Sequence, residues 1–271
     1  MLRPLLLVPL ALLVASCGSE PPPSSGPTVV AAFYPLAYAA QSVAPAGTTV
    51  TVLTPPGVEP HDIELSPQQV ATVADADLVL YIPGFQPALD AALEGRSNAV
   101  DVTAGITMIG EDPHVWLDPL NMVAIGRIIE SRLPGSNAVD FDAQMNAINA
   151  QWRAGTATCA QRTLVVSHDA FAYLAEAYDF TQVGIAGLSP DAEPSPERLA
   201  EIAQLVSSQG VTTIYYETLV DPKVAETVAA ETGATTAVLD PLEGLPEGYD
   251  GDYVTVMLDN LAQVTAGQEC S

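Results

Sequence analysis

From Thr28 to the C-terminus, short apolar runs rich in β-branched residues alternate with stretches of helical spacing, and few folds accommodate that rhythm. Thr28 to Phe33, Thr48 to Leu53, Asp77 to Ile82 and Ala99 to Val102 read as strands. Between them, Pro35 to Val43, Gln68 to Ala74 and Pro87 to Leu93 read as helices. The second half repeats the pattern, with strands at Thr163 to Ser167, Gln182 to Ile185, Val211 to Tyr216 and Thr235 to Leu239. Helix starts are marked by a capping residue followed by proline at Ser66-Pro67, Asp118-Pro119 and Ser195-Pro196. One pattern stands apart: from about Ala138 to Arg153, Phe141, Met145, Ile148 and Trp152 recur every three or four residues with no proline or glycine. We read it as the connection between two halves. The expected fold is α/β, with two lobes that are each a mostly parallel sheet flanked by helices. The N-terminal lobe is expected at 28–136, the bridging helix at 137–156 and the C-terminal lobe at 157–271.

The chain has three histidines, His61, His114 and His168, and each follows an extended apolar run at a turn or helix start. His61 ends the stretch Pro55-Pro56-Gly57-Val58-Glu59-Pro60, and His168 follows Leu164-Val165-Val166-Ser167. His114 lies in Glu111-Asp112-Pro113-His114-Val115-Trp116-Leu117-Asp118-Pro119, after the weaker run Ile106 to Ile109. Ligands of open α/β sheets gather at the carboxyl ends of strands, and Asp240 follows such an end too. Two lobes facing across a cleft would bring two of these side chains each to one point. Three imidazoles and a carboxylate form a four-coordinate set suited to Zn²⁺. Singly, each histidine reads equally well as a hydrogen-bonded loop residue, and Asp240 as a cap ahead of Pro241. No His-Glu-x-x-His and no closely spaced cysteine pair is present.

Charge narrows the partners. Thirty-three acidic residues face eight basic ones, for a net charge of −25, and Lys223 is the sole lysine. Nucleic acid and anionic membrane surfaces reward positive charge and are excluded as partners; cations are not. Residues 1–17 read as an export segment: Arg3, the apolar run Leu5 to Leu13, then Val14-Ala15-Ser16-Cys17. Small residues directly before a cysteine resemble the bacterial lipoprotein processing box, with Cys17 as the lipidated residue. An ordinary secretion signal is the alternative. Residues 18–27, rich in Ser, Pro and Gly, read as a flexible tether. An exported compartment permits a Cys159–Cys270 disulfide, two free thiols being the other reading.

The His114 stretch, together with Gly57 to Pro67, Val166-Ser167-His168-Asp169-Ala170-Phe171, Tyr215-Tyr216-Glu217 and Val238-Leu239-Asp240-Pro241-Leu242, resembles the metal-binding solute-binding proteins of bacterial ABC importers for zinc and manganese. The resemblance runs from Thr28 to the C-terminal region. It implies two lobes joined by one rigid helix with the ion between them, and ligands at His61, His114, His168 and Asp240. It implies a non-enzymatic protein that delivers its ion to an ABC importer permease. The setting implied is extracytoplasmic, lipid-anchored on the outer face of the cytoplasmic membrane or periplasmic, and a monomer is expected. A histidine at the third position goes with zinc and a glutamate with manganese, in accord with imidazole's preference for Zn²⁺, so His168 favours zinc with Mn²⁺ as the alternative. The histidine- and acid-rich loop of many zinc-specific relatives is missing here, which leaves delivery by a metallochaperone open. Glu111-Asp112 reads as a solvated turn, Asp118 as a helix cap and Glu217 as a cleft residue that does not ligate. The rival readings are a zinc buffer or adhesin uncoupled from transport, and a zinc hydrolase with an open three-histidine site and Asp240 or Glu217 as base. Binding needs deprotonated imidazoles, so affinity is expected to fall near the unperturbed pKa of about 6.5.

Overall fold

The structure, a computed structural model, describes residues 26–271. The expected export segment 1–17, Cys17 and the tether as far as residue 25 lie outside the described residues. The first half contributes strands β1 (Thr28–Ala31), β2 (Thr49–Val52), β3 (Leu78–Tyr81) and β4 (Ala99–Asp101), all parallel in the order β2-β1-β3-β4. The second half repeats the arrangement with β5 (Thr163–Val166), β6 (Thr181–Gly184), β7 (Thr213–Tyr216) and β8 (Thr235–Val238) in the order β6-β5-β7-β8. The central strands read as continuous apolar runs because helices cover both of their faces. Of the edge strands, Thr49–Val52 alternates threonine with valine and Thr235–Val238 opens on two threonines, and both are partly exposed. In each sheet the chain order reverses between the two central strands, so each presents a crevice at its carboxyl edge.

The first half carries helices α1 (Tyr34–Val43), α2 (Pro67–Asp75), α3 (Pro87–Leu93) and α4 (Pro119–Arg132). Helix α5 (Val139–Thr156) follows, and the second half adds α6 (Ala172–Ala177), α7 (Pro196–Gln209), α8 (Lys223–Thr232) and α9 (Tyr253–Gly267). Caps were placed well by the sequence. Ser66 accepts from the Gln69 amide while the Gln69 side chain returns to the Ser66 amide, and Asp118 and Ser195 cap α4 and α7. One run departs from expectation. Ile106 to Ile109 is no strand but part of a turning segment between Gly105 and Gly110, both at positive φ (95° and 59°).

Helix α5 buries Phe141, Met145, Ile148 and Trp152 along one stripe. It packs on α4 and on α9, one from each half. The α4 contact is close because residue 126 is glycine: a Cβ there would lie 2.7 Å from the Phe141 ring. On the other side the Trp152 indole N–H donates to the Met257 carbonyl of α9 at 3.1 Å, and its ring stacks on Tyr178. A helix held along its length by both halves limits their relative movement. Among the described residues no helix is long and apolar enough to cross a membrane.

Cys159 and Cys270 are joined as a disulfide across 111 residues, stapling the chain end to the segment after α5. Cross-linking a loop of that length mainly restricts the unfolded chain. Cys270→Ser should therefore lower the unfolding free energy by about 3 kcal/mol, as measured by denaturant titration. An unchanged midpoint in oxidised wild type and variant would contradict this.

Candidate metal centre

All three histidines converge, although they arrive by different routes. His61 comes from the loop after β2, fixed by its own amide donating to the Glu59 carboxylate at 3.0 and 3.1 Å. His168 follows β5 after Ser167. His114 precedes a 3₁₀ turn at Val115–Leu117, and its amide is held by Asp112 at 2.8 Å. Their Nε2 atoms lie 3.2, 3.0 and 3.2 Å, for His61, His114 and His168, from one oxygen, Oε1 of Glu243. One donor atom from each of these four residues fits within 4.8 Å of all the others. A tetrahedral zinc with bonds of about 2.0–2.2 Å would set its donors about 3.3–3.6 Å apart, so the Glu243 edges already approach that geometry.

Asp240, the fourth ligand expected from the sequence, is not in this group. Its Oδ1 accepts the Leu242 amide at 2.7 Å, and its Oδ2 accepts the Thr218 hydroxyl. Asn260 of α9 pins its backbone, accepting the Asp240 N–H at 2.9 Å and donating to the Asp240 carbonyl at 2.7 Å. The chain then turns through Leu242, buried with φ at 57°, and this left-handed residue delivers Glu243 to the histidines. Asp240 therefore shapes the loop, and the residue three positions on reaches the centre.

The imidazoles are oriented from behind. Asp112 accepts from His114 Nδ1 at 2.6 Å, and Glu217 accepts from His168 Nδ1 at 2.8 Å as well as from the Ser167 hydroxyl at 2.6 Å. A carboxylate only accepts, so Nδ1 carries the proton and Nε2 turns toward the centre, the arrangement of a carboxylate–histidine–metal relay. This corrects the reading of Asp112 as a solvated turn, since it is 5% exposed. Glu217 stands behind His168, where its Oε1 holds Nδ1 and aims the ring. Its position after β7 was visible in the sequence; its partner was not. Phe33, Phe85 and Trp116 pack edge-on around His61 and His114 and wall off water from the N-terminal side.

Electrostatics fit a site that awaits a cation. Burial alone would raise the Glu243 carboxyl, but bonds from His114, His168 and His61 hold it well below the usual carboxylate range. Burial would lower His168, yet Glu217 and Glu243 reverse this and lift it to about 10. His114 is raised in the same way, by Asp112 and Glu243 against its burial. The Nε2 protons these shifts favour on His114 and His168 are the ones a divalent ion would displace.

The halves are locked around this centre. The Trp116 indole donates to the Pro241 carbonyl at 2.7 Å, and the Tyr253 hydroxyl donates to the Trp116 carbonyl at 2.6 Å. Tyr173 also donates to the Asp112 carbonyl at 2.9 Å while accepting the Ile109 amide.

Comparison with known proteins gives a consistent result. The chain is 31% identical to the high-affinity zinc uptake system protein ZnuA of Bacillus subtilis (strain 168), over 92% of each chain. Among solved structures it is similar to the laminin binding protein Lmb of Streptococcus agalactiae, described as having adhesin and metal transporting activity (TM-score 0.81, 29% identity, 90% of this chain and 100% of that one). It is also similar to Zn(II)-bound AdcA of Streptococcus pneumoniae (TM-score 0.79, 30% identity, 90% of this chain), of which it spans only 58%. Residues 29–267 match the family model for ZnuA, the periplasmic component A of the zinc-uptake complex, and the chain belongs to that family.

Proposed function

We propose that the protein captures Zn²⁺ outside the cytoplasm through His61, His114, His168 and Glu243 and hands it to the permease of an ABC importer. The convergence of three Nε2 atoms on one carboxylate oxygen is the observation that carries this reading. Zinc is the cargo. Two ligands come from each half, so a bound ion ties 28–136 to 157–271, and α5 limits how far they part. The centre is saturated by protein donors and leaves no position for an attacking water, which favours transport over hydrolysis. Anchoring through Cys17, a monomeric state and delivery by a metallochaperone belong to the same proposal. A host lacking this chain should stop growing in chelator-treated medium and recover with added zinc but not manganese. Normal growth of that strain would sink the import reading.

The carboxylates behind the histidines should matter nearly as much as the ligands. Asp112→Asn and Glu217→Gln should each weaken zinc binding by about 10- to 100-fold in competition with a chromogenic chelator. Affinities equal to wild type would remove their role in aiming the rings.

A further inference from the structure

We infer that Glu59 is a way-station for the ion, a transient carboxylate ligand that takes zinc at the mouth of the centre and passes it to His61 and Glu243. Of the four proposed ligands, His61 is the one open to solvent. Its side chain is 11% exposed, against 0% for His114 and His168 and 1% for Glu243. Phe33, Phe85 and Trp116 close the N-terminal side, so an ion reaches the centre past His61. Near this opening lies a cavity of about 520 Å³ whose walls hold four carboxylates, Glu59, Asp62, Glu64 and Asp191, and no basic side chain. Glu59 joins that cavity to the centre. Its Oε1 stands 3.9 Å from His61 Nε2, the same nitrogen that lies 3.2 Å from Glu243. Its loop is tied to the one that carries Glu243, the Gly57 amide donating to the Leu245 carbonyl at 2.8 Å. Both Glu59 oxygens share a single donor, the His61 amide. A carboxylate offers about four lone-pair sites, so Glu59 keeps acceptor capacity for an ion. Burial, and then the facing carboxylate of Glu243, push the Glu59 carboxyl up to about 9; a cation beside the pair offsets both costs.

The transfer is a ligand exchange. The hydrated ion gives up one bound water for a Glu59 oxygen, and any proton on that carboxyl passes to solvent. A bond to His61 Nε2 then forms as a further water departs, and the Glu59 bond breaks as Glu243 completes the four-coordinate set. Release retraces the path: Glu59 enters as a fifth ligand while His61 leaves, so the ion is never bare. Glu59 thus lowers the barrier in both directions. The end state is unchanged, because Glu59 stands outside the group of four donors. This rests on the zinc reading of the main centre.

The test uses full-length protein and Zn²⁺ itself. Stopped flow into excess chromogenic chelator gives the release rate, competition with the same chelator gives the dissociation constant, and their ratio gives the capture rate. Glu59→Gln should slow release and capture alike by about tenfold, the low end of what carboxylate-lined clefts add to cation capture, and shift the dissociation constant by less than about twofold. Glu59→Asp, which keeps the carboxylate, should recover most of both rates. Release from Glu59→Gln as fast as from wild type would overturn the proposal. So would a loss of affinity with capture unchanged, the mark of a fixed ligand or of a misplaced His61, and so would Glu59→Asp as slow as Glu59→Gln. Wild-type protein that binds no zinc would instead defeat the reading of the main centre. Tight zinc binding by wild type, with both rates unaltered in Glu59→Gln, defeats the way-station alone, so the two failures are distinguishable.

Discussion

Glu243→Ala should weaken zinc binding by about a thousandfold, because in the proposed site the variant loses one of four ligands and the only anionic one. Structural zinc sites gain roughly 10–16 kcal/mol from four ligands, so one ligand accounts for about 4 kcal/mol at the upper end. Asp240→Ala provides the contrast. It removes the acceptor for the Leu242 amide and the Thr218 hydroxyl, but no atom that faces the three Nε2 atoms. Its cost should fall first on folding, as a lower denaturation midpoint, and on zinc only through a looser Glu243 loop. Isothermal titration of both variants against a competing chelator separates the two residues. If Asp240→Ala lost as much affinity as Glu243→Ala with folding intact, Asp240 would be the ligand after all.

That contrast marks where the sequence was readable and where it was not. The strand and helix alternation was legible because buried parallel strands are continuous apolar runs and helix starts carry Ser-Pro or Asp-Pro. The histidines were legible because they are scarce and recur at loops after strands. Asp240 shares that position, which is why it stood out and Glu243 did not. What decides between them is a left-handed turn at Leu242 and the grip of Asn260, 20 residues on in α9. A leucine at positive φ has no local signature, and the Asn260 contact is tertiary. Asp112 was misread for a similar reason: an acid beside proline in a loop is usually solvated, and only packing against Tyr173 and His114 buries it. Trp116 was noticed as part of a motif, yet its bond to Pro241, which fastens one half to the other, needs both halves in place.

The pH response should be steeper, and should extend higher, than unperturbed histidines allow. Free imidazoles would lose their protons near 6.5 and leave affinity almost flat above that. Here His168 is lifted to about 10, so its ring carries an extra proton at neutral pH, and His114 is raised in the same direction. Zinc must displace the His168 proton. Affinity should therefore rise about tenfold per pH unit between roughly 6.5 and 8.5 on account of His168, about a hundredfold across the window. The stability of the metal-free protein runs the opposite way. A histidine whose folded pKa is raised stabilises fully below its unfolded value of about 6.5, and this contribution is lost as pH climbs toward the folded one. Glu243, held low, contributes above its ordinary carboxylate pKa and loses that contribution as pH falls below it. The midpoints of zinc-loaded and metal-free protein should thus draw apart as pH rises, the loaded form gaining and the free form losing. Calorimetry at pH 7 in buffers of different ionisation enthalpy should count at least one proton released per zinc bound, the one displaced from His168. Release of none, with an affinity flat above 6.5, would mean that the imidazoles stand neutral before the metal arrives and that Glu243 does not face them in solution.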